Sequence, residues 1–197
     1  QENFTVKLME MLRAGEIDCA ILAEPFPDAG LATAALYDEP FMAALPVKHL
    51  LAHKKSITAE QLKNETMLLL GNGHCFRDHV LEVCPEFARF SSNAEGIRKS
   101  FEGSSLETIK HMVAAGMGVT LVPRLSVPAE ALAETAKRKK HEDPDIAYLP
   151  IVDEAGGLPP TRRVVMVWRK SFTRYEAIAA LRNAIYACEL PGVTRLS

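Results

Sequence analysis

A chain of 197 residues with 48% hydrophobic content is long enough to bury one sizeable core or two modest ones. Its formal net charge of −2 excludes a broadly basic, nucleic-acid-binding surface, and no apolar run approaches the length of a membrane span. With no basic-then-apolar leader and four cysteines too scattered for a secreted disulfide framework, it reads as a soluble, cytoplasmic protein whose thiols stay reduced.

The opening Gln1-Glu-Asn-Phe4 lacks an initiator Met, so the chain is expected to start inside a longer protein. Thr5 is placed to cap a helix whose apolar positions Val6, Leu8, Met9 and Leu12 lead to Gly15 as a stop. Cys19–Ala23 reads as a buried strand ended by a turn at Pro25 and Pro27, with Leu31–Tyr37 and Phe41–Leu45 as two further strands. Thr58-Ala-Glu-Gln61 fits a capping box ahead of a short helix, and Met67–Leu70 is another buried strand. Ser104-Ser-Leu-Glu107 is a second capping box. It opens an amphipathic helix through Ile109, Met112 and Val113 that stops at Gly116, and Gly118–Val122 returns as a strand into Pro123. A helix over Ala129–Lys137 follows, with the basic run Lys137–Lys140 as its solvated end. Strands near Ile146–Leu149 and Val164–Trp168 precede a last helix from Arg174 to Cys188, with Ile178, Leu181 and Ile185 on one face. Strands alternating with helices predict an α/β fold with largely parallel sheets. Pro40 and the pair Pro159-Pro160 are the expected crossover points, which makes one domain discontinuous: the chain leaves it near residue 39 and returns near 163.

The segment from Gly71 to Cys84 carries the most chemistry. If residues 76–83 form a helix, nine residues at about 1.5 Å each hold the Cα atoms of Cys75 and Cys84 roughly 13 Å apart. A disulfide needs roughly 4.4–6.8 Å, so joining them would require dismantling the helix. Cys75 sits where that helix begins, beside His74, Arg77 and Asp78. A helix N-terminus and nearby cations favour the thiolate, which is the nucleophile. Attack on a peroxide would give a sulfenic acid that a second thiol, Cys84, can capture. Two other readings stand beside this one. The cysteines can pack as small apolar residues that do nothing, and His74, Cys75, His79 and Cys84 can be read as zinc ligands, at a spacing that matches no usual zinc pattern. Cys19 and Cys188 read as inert thiols and His111 as a surface histidine; local sequence gives Arg162-Arg163 no particular role. With no Ser-His-Asp order, P-loop, dinucleotide fingerprint or zinc-protease motif, no cofactor and no metal are expected.

Two stretches resemble a known family. Ser105-Leu-Glu-Thr-Ile-Lys-His-Met-Val-Ala-Ala-Gly-Met-Gly-Val-Thr-Leu-Val-Pro123 resembles the effector-domain signature of LysR-type transcriptional regulators. Gly73-His-Cys-Phe-Arg-Asp78, with Cys84 nine residues after Cys75, is similar to the peroxide-sensing members of that family; Gly15–Ala23, Leu36-Tyr-Asp-Glu-Pro40 and Arg162-Arg163 also fit. The resemblance implies a periplasmic-binding-protein-like fold of two α/β subdomains joined by crossover strands. Residues 1–38 with 164–197 would form subdomain I, and residues 39–163 would form subdomain II with the redox cysteines. It implies that Cys75 reacts with hydrogen peroxide and Cys84 resolves it. Thr5 and His74 would help hold the peroxide, Asp78 would assist proton transfer and Arg163 would stabilise the thiolate.

The same resemblance implies a cytoplasmic transcriptional activator, not an enzyme, that oxidises its thiols stoichiometrically. Its implied partners are hydrogen peroxide, a homodimer or tetramer formed through this domain, RNA polymerase, and glutathione with glutaredoxin as reductant, with no membrane. DNA would be bound only through an N-terminal winged helix-turn-helix domain ahead of Gln1, and the first strand and helix of subdomain I are expected there too. Pro85–Ser104 and Pro128–Asp145 are longer than the family leads one to expect. The alternatives are an effector domain that binds a small organic anion while its cysteines stay idle, a thiol peroxidase, and a solute-binding transport protein.

Overall fold

The computed structural model describes residues 1–87, 100–103, 105–129, 131, 145–153 and 157–196. In chain order its elements are α1 (Thr5–Ala14), β1 (Cys19–Ala23), β2 (Leu31–Pro46), β3 (Ile57–Thr58), α2 (Ala59–Leu62), β4 (Met67–Leu70), α3 (Cys75–Val83), β5 (Ser100–Gly103), α4 (Leu106–Ala114), β6 (Thr120–Pro123), β7 (Ile146–Val152), β8 (Thr161–Arg169), α5 (Tyr175–Ala187) and β9 (Thr194–Arg195). The chain divides into two units, Gln1–Glu39 with Thr161–Ser197, and Pro40–Pro160. Among the described residues no helix is long and apolar enough to cross a membrane.

In the first unit, β1 pairs antiparallel with β8 from Cys19 opposite Trp168 to Ala23 opposite Val164. The run Val164–Val167 is buried at every position because both of its faces are covered. Val165 and Val167 pack with Met9 and Leu12 of α1, while Val164 and Met166 pack with Ile178 of α5. Helix α1 stops at Gly15, whose φ of 80° is the left-handed conformation that glycine reaches without strain. Arg169 then donates to the carbonyls of Leu12 and Ile17 at 2.6 and 2.8 Å, satisfying acceptors that the helix end leaves over.

In the second unit, the C-terminal half of β2 pairs with β6 on one side and β7 on the other, and β3 joins β7 in parallel. β4 runs parallel to β5 and is bridged to Val119 through Met67. All four residues of β4 are buried. A Cβ on Gly118 would overlap the Thr66 carbonyl oxygen, so the close approach that lets Val119 N–H reach that oxygen at 2.9 Å requires glycine. Phe76 and Val80 of α3 and Ile109 and Val113 of α4 are buried in one cluster with the β4 residues.

Four sequence expectations are corrected. The separate strands at Leu31–Tyr37 and Phe41–Leu45 are one continuous strand, β2. Pro40 is tolerated because it falls between Tyr37 and Asp38, which pair with β9, and Phe41, where pairing with β6 starts. The largely parallel sheets are instead mixed. β4 with β5 and β3 with β7 are parallel, whereas β2 is met by antiparallel neighbours in β6, β7 and β9, and β1 with β8 is antiparallel. Thr5 is the first residue of α1 rather than its cap; Phe4 holds the N-cap position, and its own side chain makes no capping bond. The second cap is Ser105 rather than Ser104, and its hydroxyl accepts the Thr108 N–H at 3.1 Å. At the first box, Gln61 reaches back to the Thr58 N–H at 3.2 Å. Of the helix expected at Ala129–Lys137 only residues 129 and 131 are described, and Lys137–Lys140 lies outside the described residues, as do most of Pro85–Ser104 and Pro128–Asp145.

Candidate redox site

Strand β4 ends at Leu70, and Gly71-Asn-Gly73 turns the chain into α3. Gly73 has φ 97°, a conformation other residues rarely adopt. His74 is the N-cap and Cys75 the first helical residue, so its thiol stands at the positive end of the helix dipole. Cys75 is half-buried. Asp78 is exposed one turn further on, so His74, Cys75 and Asp78 share the first turn of α3.

The helix is held down by what lies beneath it. Phe76, Val80 and Cys84 recur every fourth residue and form its buried stripe. Phe76 meets Phe41 with ring centroids 5.7 Å apart. Arg77 is also buried and donates through Nη1 to the Leu70 carbonyl at 2.8 Å. Cys84 is the C-cap; its N–H bonds the Val80 carbonyl at 2.9 Å and its side chain is 2% exposed. Burial pushes its thiol up from 9.0 to about 12. The two cysteines are therefore free thiols at opposite ends of one intact helix, roughly 13 Å apart along its axis.

Thr5 and Arg163 belong to the other unit. Thr5 opens α1, half-buried. Arg163 lies on β8, and its Nε and Nη2 donate to the two Asp38 carboxylate oxygens at 2.9 and 3.0 Å. That hydrogen bonding, with the carboxylate charge, raises the pKa of Arg163. Its neighbour Arg162 donates twice to the buried Glu39, at 3.0 and 2.8 Å. The Asp38 and Glu39 pairings were not legible from local sequence, although an Asp-Glu pair and an Arg-Arg pair on separate strands are the signal that could have suggested them. Nor was the burial of Arg77 foreseen. Cys19 is half-buried, its thiol raised by burial and by Asp18; Cys188 is exposed at the end of α5, and His111 is exposed on α4. As for zinc, no three His, Cys, Asp or Glu side chains among the described residues are grouped to hold a metal ion.

The model of the LysR substrate binding domain matches residues 1–187. A probable hydrogen peroxide-inducible genes activator of Mycobacterium avium is 33% identical over 187 residues, covering 93% of this chain and 53% of the relative. The chain thus spans about half the length of the curated relatives it matches. A reduced form of OxyR from N. meningitidis superposes with a TM-score of 0.85 at 34% identity, covering 100% of this chain and 83% of that one. The reduced OxyR regulatory domain from Pseudomonas aeruginosa gives a TM-score of 0.75 at 40% identity, covering 95% and 81%. Solved structures of OxyR in both reduced and oxidised form are among the matches. The mixed α/β architecture is accordingly periplasmic-binding-protein-like. With the family model spanning nearly all of it, the chain belongs to the LysR substrate binding domain family.

Proposed function

We propose that this chain is the peroxide-sensing regulatory domain of a LysR-type transcriptional regulator, acting by stoichiometric thiol oxidation and not as an enzyme. The Cys75 thiolate attacks one oxygen of hydrogen peroxide, breaks the O–O bond and leaves hydroxide, so that Cys75 becomes a sulfenic acid. The Cys84 thiol then displaces the sulfenic oxygen as water and forms the Cys75–Cys84 disulfide. Residues 1–38 with 164–197 are read as subdomain I, and 39–163 as subdomain II. Thr5 and His74 are assigned to holding peroxide, Asp78 to proton transfer and Arg163 to stabilising the thiolate.

The observation that carries this reading is the helix between the thiols. Cys75 heads α3 half-exposed while Cys84 is sealed under its far end, so the disulfide is closed to the protein until α3 gives way. Oxidation then has a conformational consequence. Relatives named as hydrogen peroxide-inducible activators support the choice of oxidant. By the same reading the domain self-associates as a dimer or tetramer, reaches DNA through an N-terminal domain, acts with RNA polymerase, resides in the cytoplasm and is reset by glutathione with glutaredoxin. In the rival reading a small organic anion is bound. There the anion would lie between the subdomains while both cysteines stay idle.

The test is non-reducing peptide mapping after one equivalent of peroxide. A linked Cys75–Cys84 peptide is expected. Failure to find it while Cys75 stays reduced would reject the sensor, and calorimetric binding of an organic anion would then favour the rival.

A further inference from the structure

Arg77 sits in the first turn of α3 with only 5% exposure, and its Nη1 reaches back seven residues to the Leu70 carbonyl at 2.8 Å. The loop so closed contains Cys75. A guanidinium keeps its charge in any protein environment, and burying one is costly unless its donors are met. Beside the stripe of Phe76, Val80 and Cys84, the helix also buries His79 and Arg77. The bond to the Leu70 carbonyl is a directional tie from helix to strand, which an apolar side chain of similar length could not make.

What it ties to is fixed. Leu70 closes β4, paired in parallel with Gly103 of β5, and the next N–H, that of Gly71, donates to the Gly103 carbonyl at 3.1 Å. The disulfide needs the segment 75–84 to shorten from roughly 13 Å to within roughly 6.8 Å. The tie and the disulfide thus make opposed demands on one stretch of backbone.

Resting on the sensor reading above, we propose that Arg77 is a positioning residue of the switch: its bond to Leu70 holds the first turn of α3 only in the dithiol form, and so sets how readily the disulfide closes. It acts through the helix and takes no part in the sulfur chemistry. The guanidinium raises the threshold for closure and helps the disulfide to be reduced again.

The test is the Cys75–Cys84 potential, measured in glutathione redox buffers for the full chain and for Arg77→Met and Arg77→Lys, with thermal unfolding of each dithiol form alongside. Arg77→Met is expected to favour the disulfide about tenfold, a shift of about 30 mV to lower potential for this two-electron couple. Arg77→Lys keeps one donor and is expected to move the same way by less. A folded Arg77→Met with the parent potential, even with a lower melting point, overturns the proposal, since that is the result a merely structural arginine gives. Should Arg77→Met not fold, an unshifted Arg77→Lys overturns it equally. If the parent chain closes no disulfide in any buffer, the sensor reading itself has failed, a result distinct from an unshifted variant.

Discussion

Cys75 and Cys84 bracket a single helix in opposite environments, the first half-exposed at the helix's head and the second 2% exposed at its foot. Desolvation holds the Cys84 thiol at about 12, against an ordinary 9.0. The folded state therefore grips this proton more tightly than the unfolded chain does. The stability that follows is fully present below about pH 9 and is lost as the pH rises toward 12. Denaturant unfolding of the dithiol form across pH 9–11 should show the parent losing roughly 1 kcal/mol per pH unit more than Cys84→Ala. Tyrosines and lysines titrate in both proteins and cancel in the comparison. Equal slopes would mean that Cys84 is not sealed.

The same asymmetry assigns the order of events. A thiol held protonated and out of solvent is a poor first nucleophile, so peroxide should find Cys75. Cys75→Ser is expected to abolish fast peroxide consumption. Cys84→Ser is expected to leave a sulfenic acid on Cys75, read as a dimedone adduct by mass spectrometry. A dimedone adduct on Cys84 in the parent protein would reverse the assignment.

Gly118 offers a check on the platform under the helix. The Val119 N–H donates to the Thr66 carbonyl, which a Cβ on residue 118 would overlap, and the bridge from Met67 to Val119 fixes β4 beside β6. Gly118→Ala should cost about 1–3 kcal/mol by overpacking, measured as a shifted denaturant midpoint at constant slope. An unchanged midpoint would show that the two segments can part without loss.

Much of this was legible in the residues because it depended on neighbours in sequence. The turn at Gly71-Asn-Gly73, the helix after it and the buried run Met67–Leu70 are local patterns, and they form as read. Strand direction was not local. Whether β2 is met by parallel or antiparallel partners depends on β6, β7 and β9, strands that lie far along the chain. The break expected between Tyr37 and Phe41 failed for a related reason: a proline interrupts a strand only where a ladder bond is needed, and pairing partners decide that. The site divides along the same line. Cys75 and Cys84 stand out by their spacing, and His74 and Asp78 are singled out by the family resemblance, whereas the pairing of Arg163 with Asp38 joins residues 125 apart in sequence. Arg77 reads from sequence as a cation beside Cys75, and its burial and its bond to the Leu70 carbonyl are seen only in the fold.

Glu82 permits a direct measure of how strongly helix and disulfide are coupled. It is exposed on α3, so its replacement leaves no cavity and alters only the backbone's preference for the helix. Glycine disfavours a helix interior by about 1 kcal/mol relative to alanine, and it loses most from being ordered. If the segment unwinds when the thiols join, that cost falls on the dithiol form alone. The Glu82→Gly protein should then hold its disulfide at a potential about 20 mV below that of Glu82→Ala. Both substitutions remove the same carboxylate two residues before Cys84, so the lost charge is common to the two proteins and cannot imitate the shift. Identical potentials would mean that residue 82 stays helical in both redox forms, and the shortening needed for the bond would have to come from the first turn of α3, where Arg77 is tied to Leu70.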